Sequence, residues 1–375
     1  MSRIHHRGPT ADEWHLLVST NRGLEEVAIE EIESVAGAPA EVWYPGMIRA
    51  SADEAAIYRL HARARSIHRV VVELIRGERG DLDGIYDLVR SIDVPAYLGP
   101  DQAFAVRAKR RGDHPFTSVD VEGEVGQAII DEYRSRERTR PPVDLDDPEV
   151  VFRVFVRDRT VTVGIDTTGL RSLHRRQYRV SEHRAPLRPT IAYAMYRYAD
   201  PSPGERLLDP MCGSGTIPIE AAAADLGRPP TTGTDPALTR LRFLDPERYT
   251  SALDPGSDPT LPGEIVGADI DAEAVASARE NAAAAGLDSQ LSFRTADATA
   301  SDIEADVVVT DLPFGIRTDD DLSSLYAGFF DRLAGSDWRR LVVHTARQDL
   351  VPLDADRVVE MRRGRLEASI LVVDQ

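Results

Sequence analysis

The sequence predicts an α/β protein with a C-terminal Rossmann-like parallel sheet and two smaller N-terminal α+β units. Three observations predict it. After residue 186, short apolar strands alternate with helices, the signature of a parallel sheet with crossover helices. A glycine-rich turn at 209–216 joins one such strand to one such helix. Before residue 168 the strands alternate with period two and close in a tight hairpin.

The elements follow in order. Trp14 to Ser19 is apolar and β-prone. Leu24, Val27, Ala28, Ile32 and Val35 mark one face of a helix that Gly37 and Pro39 end. Val42 to Ile48 is a short strand and Ala52 to His61 a helix, completing a unit over residues 1–60. In a second unit, 61–168, Val70–Ile75 and Ala103–Ala108 are strands and Leu82–Ile92 a helix. Ser118 caps a helix to about Tyr133, and 135–149 is a charged loop. Val151–Arg157 and Thr160–Asp166 flank Asp158-Arg159 as a hairpin. An Arg-rich linker covers 169–185, and 186–375 forms the parallel-sheet domain. Its strands are Arg206–Leu208, Ile265–Ile270, Leu291–Arg294, Asp306–Thr310 and Leu341–His344. Helices run from about Thr216 to Leu226, Ala272 to Ala285 and Leu322 to Leu333. A hairpin, Val358–Met361 with Glu367–Val373, ends the chain, and 228–264 is an inserted loop rich in Pro, Asp and Gly.

Composition narrows the function class. The 375 residues include 45 basic and 63 acidic side chains, a net charge of −18, and Lys109 is the only lysine. Apolar residues make up 42 %, which fits a globular chain and not a disordered one. No apolar run long enough to span a membrane and no secretory signal stand out, so a cytoplasmic protein is expected. A single cysteine, Cys212, excludes a disulfide framework, and no metal-ligand spacing occurs. The acidic excess with almost no lysine fits a halophile's cytosol. Taken as a total, −18 argues against a nucleic-acid partner.

The motifs carry more. Asp209-Pro-Met-Cys-Gly-Ser-Gly-Thr216 sits at a strand end and opens a helix, and Gly213 and Gly215 let the backbone turn tightly beside a ligand. Pro218 breaks the dinucleotide fingerprint, and the phosphate-loop lysine is missing. The turn resembles those that S-adenosyl-L-methionine sites use, which implies Asp209 facing its ammonium group; a plain strand–helix turn is the alternative. Asp269, in Gly267-Ala-Asp-Ile-Asp271, suits the ribose hydroxyls, and Asp271 suits a helix cap; the two roles can also be exchanged. Asp297, in Thr295-Ala-Asp-Ala298, suits the adenine amine or, equally, a solvent-facing loop.

After the buried strand comes Asp311-Leu312-Pro313-Phe314, similar to the (Asn/Asp)-Pro-Pro-(Tyr/Phe) motif of enzymes that methylate planar amines. Such an amine is a poor nucleophile because its lone pair is conjugated with the ring. The Asp311 carboxylate and the Leu312 carbonyl can accept its two hydrogens, and Phe314 can stack the base.

Residues 186–375 resemble a class I, Rossmann-fold methyltransferase. The pair Asp-Pro-Met-Cys-Gly-Ser-Gly-Thr and Asp-Leu-Pro-Phe-Gly resembles the THUMP-domain RNA guanine-N2 methyltransferases. Phe104-Ala-Val-Arg-Ala-Lys-Arg-Arg-Gly112, Phe116-Thr-Ser-Val-Asp120 and Val163-Gly-Ile-Asp166 are similar to the THUMP pattern, and His183-Arg-Ala-Pro-Leu-Arg-Pro-Thr190 to the family's cofactor lid. The resemblance implies an N-terminal ferredoxin-like domain over 1–60 and a THUMP domain over 61–168. It adds Met211, Cys212, Thr216, Ile270, Ala298, Ala185, Pro186 and Leu187 to the cofactor site. It implies tRNA as substrate, with guanosine 6 of the acceptor stem the nearest match. Guanosine 10, ribosomal RNA, or a non-catalytic RNA-binding role are the alternatives.

The arginines cluster accordingly. Residues 171–190 carry six Arg and one acid, a local charge of +5. Arg107, Lys109, Arg110 and Arg111 in the THUMP-like unit and Arg175, Arg176 and Arg184 in the linker are the expected RNA contacts. No membrane and no metal partner are expected, and a monomer is favoured.

Overall fold

The computed structural model describes residues 5–6, 13–181, 186–230, 233–254, 261, 263–314, 322–363 and 366–375. Two sheets organise it. The first contains β1 (His5–His6), β2 (Trp14–Thr20), β3 (Ala40–Tyr44), β4 (Met47–Ala52), β5 (Ile67–Glu78), β6 (Phe104–Arg111), β7 (Val150–Arg157) and β8 (Thr160–Asp166). Its order is β3-β4-β2-β5-β8-β7-β6, with β1 on β5. The two anticipated N-terminal units therefore share one continuous sheet, joined where Leu16–Ser19 of β2 pairs with Arg69–Val72 of β5.

Four helices cover one face of this sheet: α1 (Glu25–Ala36), α2 (Glu54–Arg63), α3 (Leu82–Arg90) and α4 (Ser118–Glu137). Ala28, Ile57, Leu88 and Val125 from these helices meet Leu16, Val72, Val106 and Val163 in one core. Each buried valine, leucine or isoleucine among them contributes about 1.5–3 kcal/mol relative to exposure. The opposite face has no helix among the described residues. It carries a small apolar strip of Leu17, Met47, Val71 and Phe155, flanked by Trp43 and Tyr44.

Three local expectations are corrected here. Val42–Ile48 is not one strand but the hairpin β3–β4, because Pro45-Gly46 turns the chain and Gly46 holds a left-handed φ of 83°. The cap of α4 is Thr117, not Ser118: its hydroxyl accepts the Asp120 N–H, and Asp120 accepts the Thr117 N–H in return. The helix also runs on to Glu137, into the segment expected as a loop.

The second sheet contains β9 (Leu207–Asp209), β10 (Ile265–Asp269), β11 (Leu291–Thr295), β12 (Val307–Asp311), β13 (Arg340–Thr345), β14 (Arg357–Arg363) and β15 (Leu366–Asp374), in the order β11-β10-β9-β12-β13-β15-β14. The first five strands are parallel, and β15 is antiparallel to both neighbours. Its helices are α5 (Pro189–Ala199), α6 (Thr216–Asp225), α8 (Ala272–Ala284) and α9 (Leu322–Ala334), whereas α7 (Pro246–Ala252), in the inserted segment, packs on α2 of the first sheet. Both faces of the second sheet are buried. Leu207 and Val309 pack toward α5, α6 and α8, and Leu208 and Val308 pack toward α9.

The inserted segment is not a free loop. Leu238, Leu241 and Leu244 enter the core of the first sheet, and Phe243 stacks on Trp14 at 5.9 Å. The Leu238 N–H donates to the Thr167 carbonyl at 2.8 Å, and the Asp245 N–H to the Tyr58 hydroxyl at 2.6 Å. The apolar residues that make this clasp stand between prolines and acids, so their local spacing shows no amphipathic period. Among the described residues, no helix is long and apolar enough to cross a membrane.

Candidate active site

The site lies where the second sheet reverses its winding. β9 leads to β10 and β11 on one side, and β12 returns to its other side. The turns after β9 and β12 therefore open next to each other, the usual binding place in such sheets.

The turn after β9 is tied to its neighbours by backbone bonds. Asp209 is buried and its Oδ1 accepts the Met211 N–H at 3.2 Å. The Cys212 N–H donates to the Ala268 carbonyl at 2.8 Å, and the Gly213 N–H to Asp269 Oδ2, also at 2.8 Å. Gly213 and Gly215 hold φ of 52° and 80°, the left-handed region that a side chain disfavours. A Cβ on Gly215 would stand 3.0 Å from Ala278 Cβ, whereas one on Gly213 would meet nothing within 4 Å. Packing thus requires the second glycine, and open space lies beside the first. Thr216 begins α6 and is buried.

Asp269 ends β10, with Oδ1 accepting the Asp271 N–H at 2.9 Å and its carbonyl accepting the Ala296 N–H at 2.9 Å. Asp271 accepts the Glu273 N–H at 2.9 Å and is the cap of α8, so Asp269 is the carboxylate that faces the turn. Ile270 beside it is 68 % exposed. Asp297 accepts from the Thr299 hydroxyl at 2.7 Å and the Thr299 N–H at 2.8 Å, which hold its carboxyl below the usual range. Ala298 is buried next to it.

Asp311 ends β12, and Leu312, Pro313 and Phe314 follow it. Asp311 Oδ1 lies 2.8 Å from His344 Nδ1. The Leu312 N–H donates to the His344 carbonyl at 3.0 Å, and its side chain is buried in the core on the α9 side. A proline at this position could make no such bond, so leucine anchors the turn by a different route. The Pro313 carbonyl accepts from the Tyr326 hydroxyl at 3.2 Å. Phe314 is half-buried, edge-on to His344 with ring centroids 5.2 Å apart.

Electrostatics fit a cationic ligand. Burial, reinforced by the charges of Asp269 and Asp311, drives the Asp209 carboxyl well above its usual range. A positive group beside it would reverse that trend. Burial and then Asp209 also push the Cys212 thiol well up, so it is a packing residue and not a nucleophile. Among the described residues no cluster could hold a metal ion. Of the lid motif, Leu187 is buried and Pro186 half-buried; His183, Arg184 and Ala185 lie outside the described residues.

The basic residues divide. Arg107, Lys109 and Arg111 alternate onto the helix-free face of the first sheet. There they stand opposite Arg153, Phe155 and Arg157 of the parallel neighbour β7. Arg110 turns the other way, donating to the Gly112 carbonyl at 3.0 Å. Arg175 is exposed. Arg176 corrects the expectation of an RNA contact: it is buried, its Nε 3.0 Å from Glu220 Oε1 and its Nη2 2.9 Å from the Arg65 carbonyl. Arg65 Nη1 lies 3.3 Å from Glu220 Oε2, so one carboxylate holds two arginines at the junction of the two sheets. Sequence reasoning missed His344, Arg153, Arg157 and Glu220. Only Arg153 and Arg157 left a signal, their spacing of four along a strand.

The comparisons agree with this architecture. The RMKL-like methyltransferase domain family matches residues 176–366, and the THUMP domain family matches residues 79–166. A tRNA (guanine(6)-N2)-methyltransferase of Archaeoglobus fulgidus is 36 % identical over 296 residues, 79 % of this chain and 72 % of that protein. The protein of the same name from Methanocaldococcus jannaschii is 36 % identical over 80 % of this chain and 81 % of its own length. The crystal structure of a possible methylase from Clostridium difficile 630 superposes with a TM-score of 0.88 at 26 % identity, covering 96 % of this chain and 98 % of that one. The methyl donor of such a domain is S-adenosylmethionine, whose two cationic groups suit the acidic turns described above. The chain belongs to the family that joins a THUMP domain to an RMKL-like methyltransferase domain.

Proposed function

We propose that the protein methylates the N2 amine of guanosine 6 in the acceptor stem of tRNA. The observation that carries the reading is the Asp311–Phe314 turn standing beside the Asp209–Thr216 turn at the point where the sheet reverses. Two relatives named for this same position support it.

When bound, S-adenosylmethionine supplies a methyl group on an electron-poor sulfonium. Asp209 would hold its ammonium, Asp269 its ribose and Asp297 its adenine amine. Gly213 and Gly215 would let its amino-acid end lie close to the backbone, and Met211, Thr216, Ile270, Ala298, Pro186 and Leu187 would line the rest. The target guanine is taken out of its helix and stacks on Phe314. Asp311 and the Leu312 carbonyl accept the two amine hydrogens, which localises the nitrogen lone pair toward the methyl carbon. Arg107, Lys109 and Arg111, together with Arg153 and Arg157, contact phosphates from the open sheet face, and Arg175 of the linker adds to them; Arg184, outside the described residues, is the further contact the sequence offers. The chain charge of −18 supports reading the working solvent as salty. At molar salt, screening lengths fall to ~3 Å, so bidentate arginine–phosphate bonds outweigh long-range attraction.

Labelled methyl transfer to tRNA transcripts, at low and molar potassium chloride with the product nucleoside mapped, tests this. N2-methylguanosine at position 6 is expected. Label at guanosine 10 or in ribosomal RNA moves the substrate assignment. Label in adenine or protein overturns it, and none at any salt favours a cofactor-binding RNA module without catalysis.

A further inference from the structure

His344 is a polar residue in an apolar place. It sits in β13 with Val342 and Val343 before it, and its side chain is 0 % exposed. Parallel pairing of β12 with β13 sets it directly opposite Asp311. From there it touches three residues of the turn: its Nδ1 lies 2.8 Å from Asp311 Oδ1, its carbonyl accepts the Leu312 N–H at 3.0 Å, and its ring meets Phe314 edge-on. Its Nε2 is buried with no hydrogen-bond partner among the described residues. A carboxylate only accepts, so the shared proton belongs on Nδ1 and the lone pair on Nε2. The opposite tautomer would bury a donor with no acceptor among the described residues, at a cost of about 1–3 kcal/mol.

A valine or leucine would fill such a strand position without an orphaned nitrogen. The imidazole instead gives the Asp311 carboxylate a fixed donor on one oxygen and braces the aromatic ring beside it. We propose that His344 is a positioning residue for methyl transfer: its Nδ1–H orients the Asp311 carboxylate, and its ring edge sets the plane of Phe314. This rests on the reading of Asp311 as the acceptor of the amine hydrogens. A carboxylate that has lost this donor would still bind RNA and cofactor but would spend less time aligned for the transfer.

Three variants test it. His344→Leu removes the donor. His344→Asn places an amide N–H near the position of Nδ1, and His344→Gln moves it to the position of Nε2. His344→Leu and His344→Gln are expected to lower kcat by about 10–100-fold, the usual loss when a partner that orients an active group is removed. KM for tRNA and for S-adenosylmethionine stays unchanged, and His344→Asn recovers most of the rate. Wild-type kcat in His344→Leu, or His344→Asn no better than His344→Gln, overturns the proposal. If His344→Leu melts early, the Asn and Gln pair decides. Asp311→Ala separates the layers: if it keeps wild-type kcat, the underlying reading of Asp311 fails. If it is inactive while His344→Leu is fully active, only the role of His344 fails.

Discussion

The two sheets of this protein present their chemistry in opposite ways. The parallel sheet is buried on both faces, so only the ends of its strands can meet a ligand. Asp209, Asp269 and Asp311 each follow or end a strand at that edge. The antiparallel-rich sheet has helices on one face, and its other face carries Arg107, Lys109, Arg111, Arg153 and Arg157 along the length of β6 and β7. Depth of burial decides the difference. A face covered by helices has no room for charge, whereas an open face places every second residue in reach of a partner. A strand-end site is therefore written in short contiguous motifs, and an open-face site is written across strands distant in sequence.

Glu220 holds the two sheets together, and removing it has the largest expected effect. Burial opposes its charge, but Arg176 and Arg65 outweigh that and hold the carboxyl below its usual range. Glu220→Ala leaves two buried guanidiniums uncompensated, which costs about 3–5 kcal/mol. Thermal melting should show an early transition. An unchanged melting curve would mean the sheets are coupled elsewhere, through the clasp at 237–245.

Next in size is the strand-end site. Asp311→Ala should lower kcat by about 10²–10³-fold, the range seen when one group that stabilises a transition state is removed. Melting temperature and tRNA affinity should hold. Loss of tRNA affinity instead would show that the edge binds and does not only react.

A pH effect follows from His61, buried behind the first sheet, with Nδ1 2.8 Å from the Ile57 carbonyl. Burial lowers its pKa from 6.5 to about 4. The unfolded chain takes up a proton near pH 6.5 while the folded ring resists until about 4, so stability is lost as pH falls through that window. Between pH 7 and 5 the loss from this ring is about 2 kcal/mol. His61→Asn should flatten that part of the melting profile against pH. A slope equal to wild type would assign the effect to His68 and His174, whose values are lowered to about 3 and about 4, first by burial.

The smallest effect sharpens the comparison most. Arg110 and Arg111 are neighbours in the chain but face opposite sides of β6. Arg111→Ala should weaken tRNA binding at all sequences and reduce the salt slope by about one. Arg110→Ala should leave the slope in place. Equal losses from both would show that RNA wraps the strand end and not the open face.

What the sequence showed and what it hid follow the same division. The turns at Asp209–Thr216 and Asp311–Phe314 were legible because a tight glycine turn and a strand-end acid are local arrangements. The cap of α8 by Asp271 was legible for the same reason. Arg176 was misread because its charge has an identical local context to that of Arg175, and only the fold sends one inward to Glu220. The segment 237–245 was misread as a loop because Leu238, Leu241 and Phe243 find their partners in the other sheet.

By itself, then, the sequence determined the strand–turn–helix geometry of the proposed catalytic edge, the fold class and the acidic background against which 44 arginines stand out. The tertiary structure decided which arginines face outward, how two N-terminal units become one sheet, and that His344 stands opposite Asp311. The reason is range. Backbone turns and caps are set by residues a few positions apart, whereas strand register and burial depend on contacts between segments that only the folded chain brings together.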